Sequence, residues 1–133
     1  MPGSIVPSRA ASYSLIIEYK EVVTMLIGNM NTPYGKAQIH IGRYPVKKAI
    51  SVQLIDSENG YEPLGTLSVN LPEKNHLLGA CEFFAKIWNE NASLIRPALK
   101  SGFFVDTGRT VPTGFVYASI WRLNVDGAIL GKI

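Results

Sequence analysis

Apolar and polar residues alternate along three successive runs between Lys36 and Leu71, and this pattern constrains the fold more than any other feature. The apolar members of the runs are Ala37, Ile39 and Ile41, then Ile50, Val52 and Leu54, then Leu67, Val69 and Leu71. Successive side chains of a strand point to opposite faces, so each run predicts a strand with one buried and one solvated face. A sheet of this kind is typical of antiparallel folds and needs a second layer over its apolar face.

The second and third of these strands are predicted to pair as an antiparallel hairpin. The segment between them contains Asn59-Gly60, which readily adopts the left-handed backbone of a turn. Two further strands are predicted at Phe103–Val105 and Phe115–Leu123, joined by a connection over residues 106–114. Apolar residues occupy both faces of the last strand, so both faces are expected to be covered.

The pattern changes after Pro72 to the 3.6-residue period of a helix. A helix is predicted from Asn75 to Asn89, because its apolar residues form one stripe suited to packing across the sheet. The stripe comprises Leu77, Leu78, Cys81, Phe84, Ala85 and Trp88. A shorter helical piece is predicted at Ser93–Lys100, and Gly102 is expected to end it.

The first 28 residues leave two interpretations open. Residues 1–11 are small, polar and proline-bearing, which predicts a flexible N-terminal tail. Residues 12–28 carry apolar side chains at helical spacing and predict a helical extension. The β-branched run at Val22-Val23-Thr24 also suits a strand. Met25 is an alternative translation start, in which case the preceding residues would not belong to the core fold.

These patterns together predict a single α+β domain over residues 12–133. Its antiparallel sheet is expected to have about five strands, with the Asn75–Asn89 helix packed on one face. The chain has 133 residues, of which 47% are hydrophobic and 17% charged, so it can bury a core and is not a disordered chain. Cys81 is the single cysteine, and no stretch reads as a signal peptide or membrane span. A cytoplasmic protein without membrane association is therefore expected.

No group of residues typical of an enzyme or a metal site is present in the sequence. His40 and His76 have no Cys or acidic neighbour at metal-ligand spacing. Cys81 falls in an apolar stripe that would not stabilise a thiolate. The run from Asp106 to Thr110 lacks both a Walker pattern and a following helix. The sequence therefore predicts no catalytic residue, no metal ligand and no cofactor.

The densest basic segment is the turn from Arg43 to Lys48, which encloses an aromatic residue. Its candidate partner-binding residues are Arg43, Tyr44, Lys47 and Lys48. Such cations contact phosphates while a tyrosine stacks on a base, and they equally steer a charged protein partner. A solvated turn beside an edge strand explains the segment as well. The acidic loop at Asp56–Glu62 and the 106–114 connection are expected to converge with this turn on one side of the sheet.

Eight aromatic residues between Phe83 and Trp121 are expected to lie mainly in the core. Any pair that the fold leaves exposed on a strand would suit a partner anchor. The net charge of +3 is small for a nucleic-acid-binding protein, in which basic residues are usually more numerous and clustered.

Four motifs follow one another between Tyr44 and Leu123. They are Ala-Ile-Ser-Val-Gln-Leu at Ala49–Leu54, Gly-Thr-Leu-Ser-Val-Asn-Leu-Pro at Gly65–Pro72, Leu-Lys-Ser-Gly at Leu99–Gly102, and Gly-Phe-Val-Tyr at Gly114–Tyr117. In this order they resemble a family of short bacterial domains of unknown function carried on phages, plasmids and integrative elements. The resemblance implies a mobile-element context and carries no catalytic residue with it.

The function expected on these grounds is that of a non-catalytic binding protein of a phage or mobile element that acts by occupying a host macromolecule. An inhibitor of a bacterial defence protein, such as a restriction or CRISPR component, is the specific expectation. The alternative is a nucleic-acid-binding accessory protein of a mobile element. A small enzyme whose site is assembled only by folding is the second alternative.

Overall fold

The computed structural model describes residues 16–19, 22–46 and 48–133, and within them it contains two antiparallel sheets. The first sheet has five strands side by side in chain order: β1 (Ile16–Tyr19), β2 (Val22–Thr32), β3 (Gly35–Arg43), β4 (Ile50–Asp56) and β5 (Glu62–Thr66). The second has the order β6-β8-β7, with β6 at Glu82–Ala85, β7 at Phe104–Thr113 and β8 at Val116–Leu123. An α+β composition is correct in the coarse sense, but a single sheet with one long helix is wrong.

The helices of the described residues are short. Helix α1 spans Ile95–Lys100, and 3-10 helices span Pro72–Leu77, Asn89–Leu94 and Gly127–Lys132. The predicted helical piece at Ser93–Lys100 is thus confirmed, and Gly102 follows it in the left-handed region with φ +85°. None of the described helices has the length and apolar character that crossing a membrane requires.

The first two alternating runs are strands, as predicted. They form most of β3 and β4, which pair with Ile39 opposite Leu54 and Ile41 opposite Val52. All four of these side chains are buried. The predicted antiparallel hairpin also forms, with Gly60 at φ +80° in its turn. Its second strand, however, is β5 and not the run that begins at Leu67.

The third run, Leu67–Leu71, crosses from the first sheet to the second. The Leu67 N–H donates to the Val52 carbonyl at 2.8 Å, while the Leu67 carbonyl accepts from the Lys86 N–H at 2.7 Å. Ser68 lies on the predicted solvated face, yet it is buried and forms a single bridge with Ala85. Its hydroxyl instead accepts the Val52 N–H at 2.9 Å. The alternation is misleading here because the segment is enclosed on both sides.

The predicted helix from Asn75 to Asn89 is wrong. A 3-10 helix ends at Leu77, and β6 begins at Glu82 within the predicted span. Phe83 and Phe84 are adjacent and both buried, on opposite faces of the second sheet. Two neighbouring buried residues fit a helical stripe, but they fit equally well in a strand that is covered on both faces. The layer that covers the first sheet is the second sheet.

The helical extension predicted over residues 12–28 is also wrong wherever the structure describes this segment. Residues from Ile16 and from Val22 form β1 and β2, which pair with Ile17 opposite Thr24. The strand interpretation of the β-branched run is therefore correct, and β2 continues past Gly28 to Thr32. Met25 lies within β2 and is buried. The predicted tail at residues 1–11 lies outside the described residues.

One apolar cluster joins the two sheets. It combines buried side chains of β2, β3 and β4 with Phe83, Phe104 and Trp121 of the second sheet. The ring centroid of Phe83 lies 5.9 Å from that of Phe104 and 6.2 Å from that of Trp121, and both contacts are edge to face. A second cluster on the far face of the second sheet consists of Leu71, Phe84, Val111, Ala118 and Ile120. Both faces of β8 are thus covered along this stretch, as predicted.

The 106–114 connection is largely strand. Strand β7 continues to Thr113 with an irregularity between Asp106 and Thr110, so the turn to β8 is only Gly114-Phe115. Gly114 has φ +65°, which makes so short a turn accessible. The long loop expected from the sequence is therefore an extended hairpin.

Gly28 lies at a bulge of β2, and the ring of Phe103 fills the space that a side chain would need. A Cβ at position 28 would stand 2.2 Å from Phe103 Cζ, and Phe103 is buried. We expect Gly28→Ala to lower the free energy of unfolding by about 1–3 kcal/mol, because the ring or the bulge must move. Urea denaturation measures this change. Gly131→Ala is the control, since a Cβ there meets nothing within 4 Å, and equal effects of the two variants would contradict the prediction.

Candidate functional site

The predicted basic site lies in the turn between β3 and β4. The turn is closed by the Tyr44 N–H, which donates to the Ala49 carbonyl at 2.8 Å. The Arg43 guanidinium donates to the Lys48 carbonyl at 3.0 Å and to the Leu130 carbonyl at 3.1 Å. Arg43 therefore links the turn to the C-terminal 3-10 helix.

Tyr44 also has an internal role. Its side chain is half-buried, and its hydroxyl forms a hydrogen bond of 2.8 Å with the Ser68 hydroxyl. Burial raises the pKa of Tyr44, and the bond to Ser68 offsets part of that rise. Lys48 is exposed, with φ 59°, while Lys47 lies outside the described residues. The basic site stays a prediction, and among its described residues only Lys48 has a free charged group.

The three predicted loops do not all meet. The β3–β4 and β4–β5 turns lie at opposite ends of β4, so the acidic loop at Asp56–Glu62 is remote from the basic turn. It instead approaches the β2–β3 turn, where the Lys36 N–H donates to Glu58 Oε1 at 3.3 Å. The Asp56 carboxylate accepts from Asn59 Nδ2 at 2.7 Å and from the Glu58 N–H at 3.0 Å. These bonds, that from Asn59 foremost, lower the pKa of Asp56, so this carboxylate stabilises the turn in its charged form.

Arg109, from the predicted 106–114 connection, approaches the basic turn through Glu82. A groove of about 250 Å³ is lined by Arg43, Lys48 and Glu82, among others. Glu82 accepts from the Gly79 N–H at 2.7 Å and forms an ion pair with Arg109. Burial pushes the pKa of Glu82 upward, but the bonds from Gly79 and Arg109 outweigh it and the pKa is lowered. The groove thus contains an ionised, paired carboxylate, which is not suited to act as a general acid.

The tip of the β7–β8 hairpin exposes the aromatic pair Phe115 and Tyr117. Phe115 is exposed to 107% of its reference area and Tyr117 to 61%. Strand β6 pairs with β8 only from Ser119 to Arg122, so the tip extends beyond β6. The Lys74 ammonium donates to the Pro112 carbonyl at the base of the tip. This surface, Pro112–Tyr117, is called the hairpin tip below.

The hairpin tip could be predicted in part from the sequence pattern. The period of two places Phe115 and Tyr117 on the same face of the predicted Phe115–Leu123 strand as Trp121, and it predicts an exposed aromatic pair in general terms. It does not indicate which pair is exposed, because that depends on where β6 stops. Trp121 lies opposite Phe83 of β6 and is buried, while Tyr117 lies opposite Pro112 of β7 and has no partner on β6.

His40 is buried in β3, with Nε2 3.0 Å from Gln38 Oε1. Burial lowers its pKa from an ordinary value near 6.5. Within the part of the chain that the structure describes, no three His, Cys, Asp or Glu side chains are grouped so as to hold a metal ion. Because burial disfavours its charged form, protonation of His40 is coupled to folding.

Acidification is expected to destabilise the protein through His40. A lowered pKa means that the folded state resists protonation. This contribution to stability is complete above the unfolded pKa near 6.5, and it is lost as the pH falls from there through the lowered pKa of the folded state. We expect the melting temperature to fall between about pH 7.5 and about pH 5.5, and to fall less in His40→Gln. Calorimetry at several pH values measures both. His76→Gln, at an exposed position, is the control, and identical slopes for His40→Gln and wild type would contradict the prediction.

Comparison with known proteins returns no match among protein-family models, curated proteins or solved structures. The resemblance to domains of phages and plasmids stays a prediction.

Proposed function

We propose that the chain is a non-catalytic binding protein of a phage or mobile element, and that it binds a host protein through the hairpin tip. The observation that carries this proposal is the complete exposure of Phe115. Moving a phenylalanine side chain from water into an apolar pocket is favourable by roughly 1.5–3 kcal/mol. Folding gains none of this at Phe115, so the gain is available to a partner. Aromatic residues are enriched among the residues that dominate protein interfaces.

The base of the hairpin tip is held in place by the rest of the fold. Val111 and Ala118 are buried in the second apolar cluster, and the Thr107 hydroxyl donates to the Ile120 carbonyl at 2.6 Å. Lys74 holds the Pro112 carbonyl from the side. A surface that is ordered before binding loses less conformational entropy on association. These contacts therefore support a role of the tip in recognition.

The chemistry of the tip favours a protein over a nucleic acid. No charged residue occurs between Arg109 and Arg122. Of the cations on or beside the hairpin, Arg109 is paired with Glu82 and Lys74 with the Pro112 carbonyl, while Arg122 lies at the other end of β8, opposite Glu82 of β6. Nucleic-acid binding depends on cations that contact phosphates as well as on aromatic stacking. An uncharged aromatic tip fits an apolar pocket of a protein better.

Inhibition of a bacterial defence protein is the specific role that we propose for this binding. A stable complex needs only about 800 Å² of surface on each partner, which a domain of this size offers. The mobile-element resemblance supports a host protein as the target. We expect that expressing the chain in bacteria with a restriction or CRISPR system raises the plating efficiency of a sensitive phage, and that Phe115→Ser/Tyr117→Ser abolishes the effect. Equal plating with wild type and empty vector would contradict the defence role.

An affinity pull-down from bacterial lysate tests the binding mode. The tagged chains are wild type, Phe115→Ser/Tyr117→Ser, Tyr61→Ser as an exposed aromatic control, and Lys48→Glu for the basic turn. Each is used with and without nuclease. We expect a protein that wild type, Tyr61→Ser and Lys48→Glu all retain after nuclease treatment, and that the double variant loses. Nucleic acid without a stable protein partner would overturn the proposal, and loss only in Lys48→Glu would place the interface at the basic turn.

A further inference from the structure

Helix α1 carries a second surface, separate from the hairpin tip. Arg96 and Lys100 are exposed and lie four residues apart, on the same side of the helix. They line two open grooves, one of about 510 Å³ with Ala92, Ile95 and Leu99, and one of about 330 Å³ with Asn31 and Pro97. The larger of the two, with its two cations and three apolar side chains, is called the α1 groove.

The two cations of the α1 groove are not engaged within the described part of the chain. The ion pairs described there are Lys86–Glu90 and Arg109–Glu82. Arg96 and Lys100 take part in neither, and no hydrogen bond joins their side chains to a described residue. Like charges at this spacing repel each other, so an anionic occupant would remove an unfavourable interaction. The two cations therefore lack an anionic partner within the described fold.

Helix α1, which carries the groove, is anchored to the rest of the fold. Ala98 and Leu94 are buried in the main core, and α1 packs against β2 and β7. The Tyr34 hydroxyl forms a hydrogen bond of 3.0 Å with the Ser93 hydroxyl, which ties the preceding 3-10 helix to the β2–β3 turn. The charged groups are thus presented from an ordered scaffold.

We propose that the α1 groove binds an acidic, amphipathic segment of a protein partner. A carboxylate of that segment pairs with Arg96 and Lys100, while a neighbouring apolar side chain covers Ile95 and Leu99. Both of these apolar residues are half-buried against the core, so they offer a partly apolar floor that a phosphodiester backbone would not use. This surface shares no residue with the hairpin tip and does not depend on the proposed function.

The leading segment of this chain has the wrong charge for this groove. No Asp or Glu occurs before Glu18, and Arg9 is basic. A second copy of the chain also offers acidic residues, as in its exposed β4–β5 turn with Glu58 and Glu62. Sedimentation of the purified chain tests that source. The proposal expects a monomer. A dimer that Arg96→Glu/Lys100→Glu dissociates would overturn the proposal.

Selection from a random library of peptides, roughly 12 residues each and displayed on phage, tests the proposal. Wild type is the bait, with counter-selection on Arg96→Glu/Lys100→Glu. The enriched peptides are expected to combine Asp or Glu with Leu, Ile or Phe. Their affinity is expected to fall at least about tenfold in the double variant and to weaken as salt is raised. A charge-matched control, Lys36→Glu/Lys132→Glu, alters exposed cations elsewhere and is expected to bind normally.

Two further measurements locate the binding. Ala92→Glu adds a carboxylate to the groove at an exposed position and is expected to block the peptides, whereas Ala92→Ser is not. Amide shifts of the ¹⁵N-labelled chain are expected at residues 92–101 and not at the hairpin tip, and Phe115→Ser/Tyr117→Ser is expected to bind as wild type does. No enrichment, enrichment without acidic residues, or preferential binding of a single-stranded oligonucleotide would each overturn the proposal.

Discussion

Phe115→Ser/Tyr117→Ser is expected to weaken binding of the captured partner about 100-fold or more. Aromatic residues at the centre of an interface commonly contribute about 2 kcal/mol or more each, and about 1.4 kcal/mol corresponds to a tenfold change in Kd. The contributions of neighbouring residues are not additive, so the pair is expected to give less than their sum. Phe115 is fully exposed and Tyr117 largely so, so their removal leaves the core unchanged and the melting temperature is expected to stay constant. Isothermal titration calorimetry measures the affinity.

The control for this result is Tyr61→Ser. Tyr61 is exposed to 65%, much like Tyr117, but it belongs to the β4–β5 turn of the other sheet. Its replacement is expected to change the affinity by less than about threefold, because it lies outside the proposed interface. Equal losses in both variants would indicate a nonspecific effect of exposed aromatic residues.

Phe83→Ala is expected to lower the free energy of unfolding by about 3–5 kcal/mol. The side chain of Phe83 has no exposed area, and its ring packs edge to face against Phe104 and Trp121. It belongs to the cluster that joins the two sheets, so its loss leaves a cavity between them. Urea denaturation monitored by circular dichroism measures the change.

The same substitution at a fully exposed position is the matched control. Phe115→Ala removes the same atoms from the hairpin tip and is expected to alter stability by less than about 0.5 kcal/mol. A small effect of both substitutions would mean that the two sheets do not share a core. Two separate unfolding transitions in the wild type would contradict a shared core as well.

The sequence predicts strands well where only one face is covered. Strand β4 alternates cleanly, and β3 does so as far as Ile39, because their apolar side chains meet the second sheet and most of their polar ones remain near solvent. From Ile39 to Gly42 every residue of β3 is buried, His40 included. Apolar–polar alternation fails as a predictor for Leu67–Leu71 and for β6, because other parts of the chain pack on both faces of these segments and buried residues are adjacent in sequence. Hydrophobic periodicity depends on how many faces of a strand are covered. Over a short window, a strand covered on both faces has the same run of apolar residues as a buried helix.

The candidate site shows a different limit. The sequence identifies Arg43 and Tyr44 as cation and aromatic residue, but it does not show that one binds carbonyls of the turn and of Leu130 and the other binds Ser68. Leu130 and Ser68, which accept or share these hydrogen bonds, lie far along the chain from Arg43 and Tyr44. The exposure of Phe115 likewise depends on the point where β6 ends. Such features are set by tertiary contacts, which no local pattern contains.

Site-specific photo-cross-linking tests the central claim, that the hairpin tip is the partner-binding surface. A photoreactive phenylalanine analogue replaces Phe115 in one sample and Tyr61 in another, and both are irradiated in bacterial lysate after nuclease treatment. We predict a discrete protein adduct from position 115 that is absent from position 61. Excess unlabelled wild type should suppress it, whereas excess Tyr117→Ser/Phe115→Ser should not. No adduct at position 115, or the same adduct from both positions, would contradict the account.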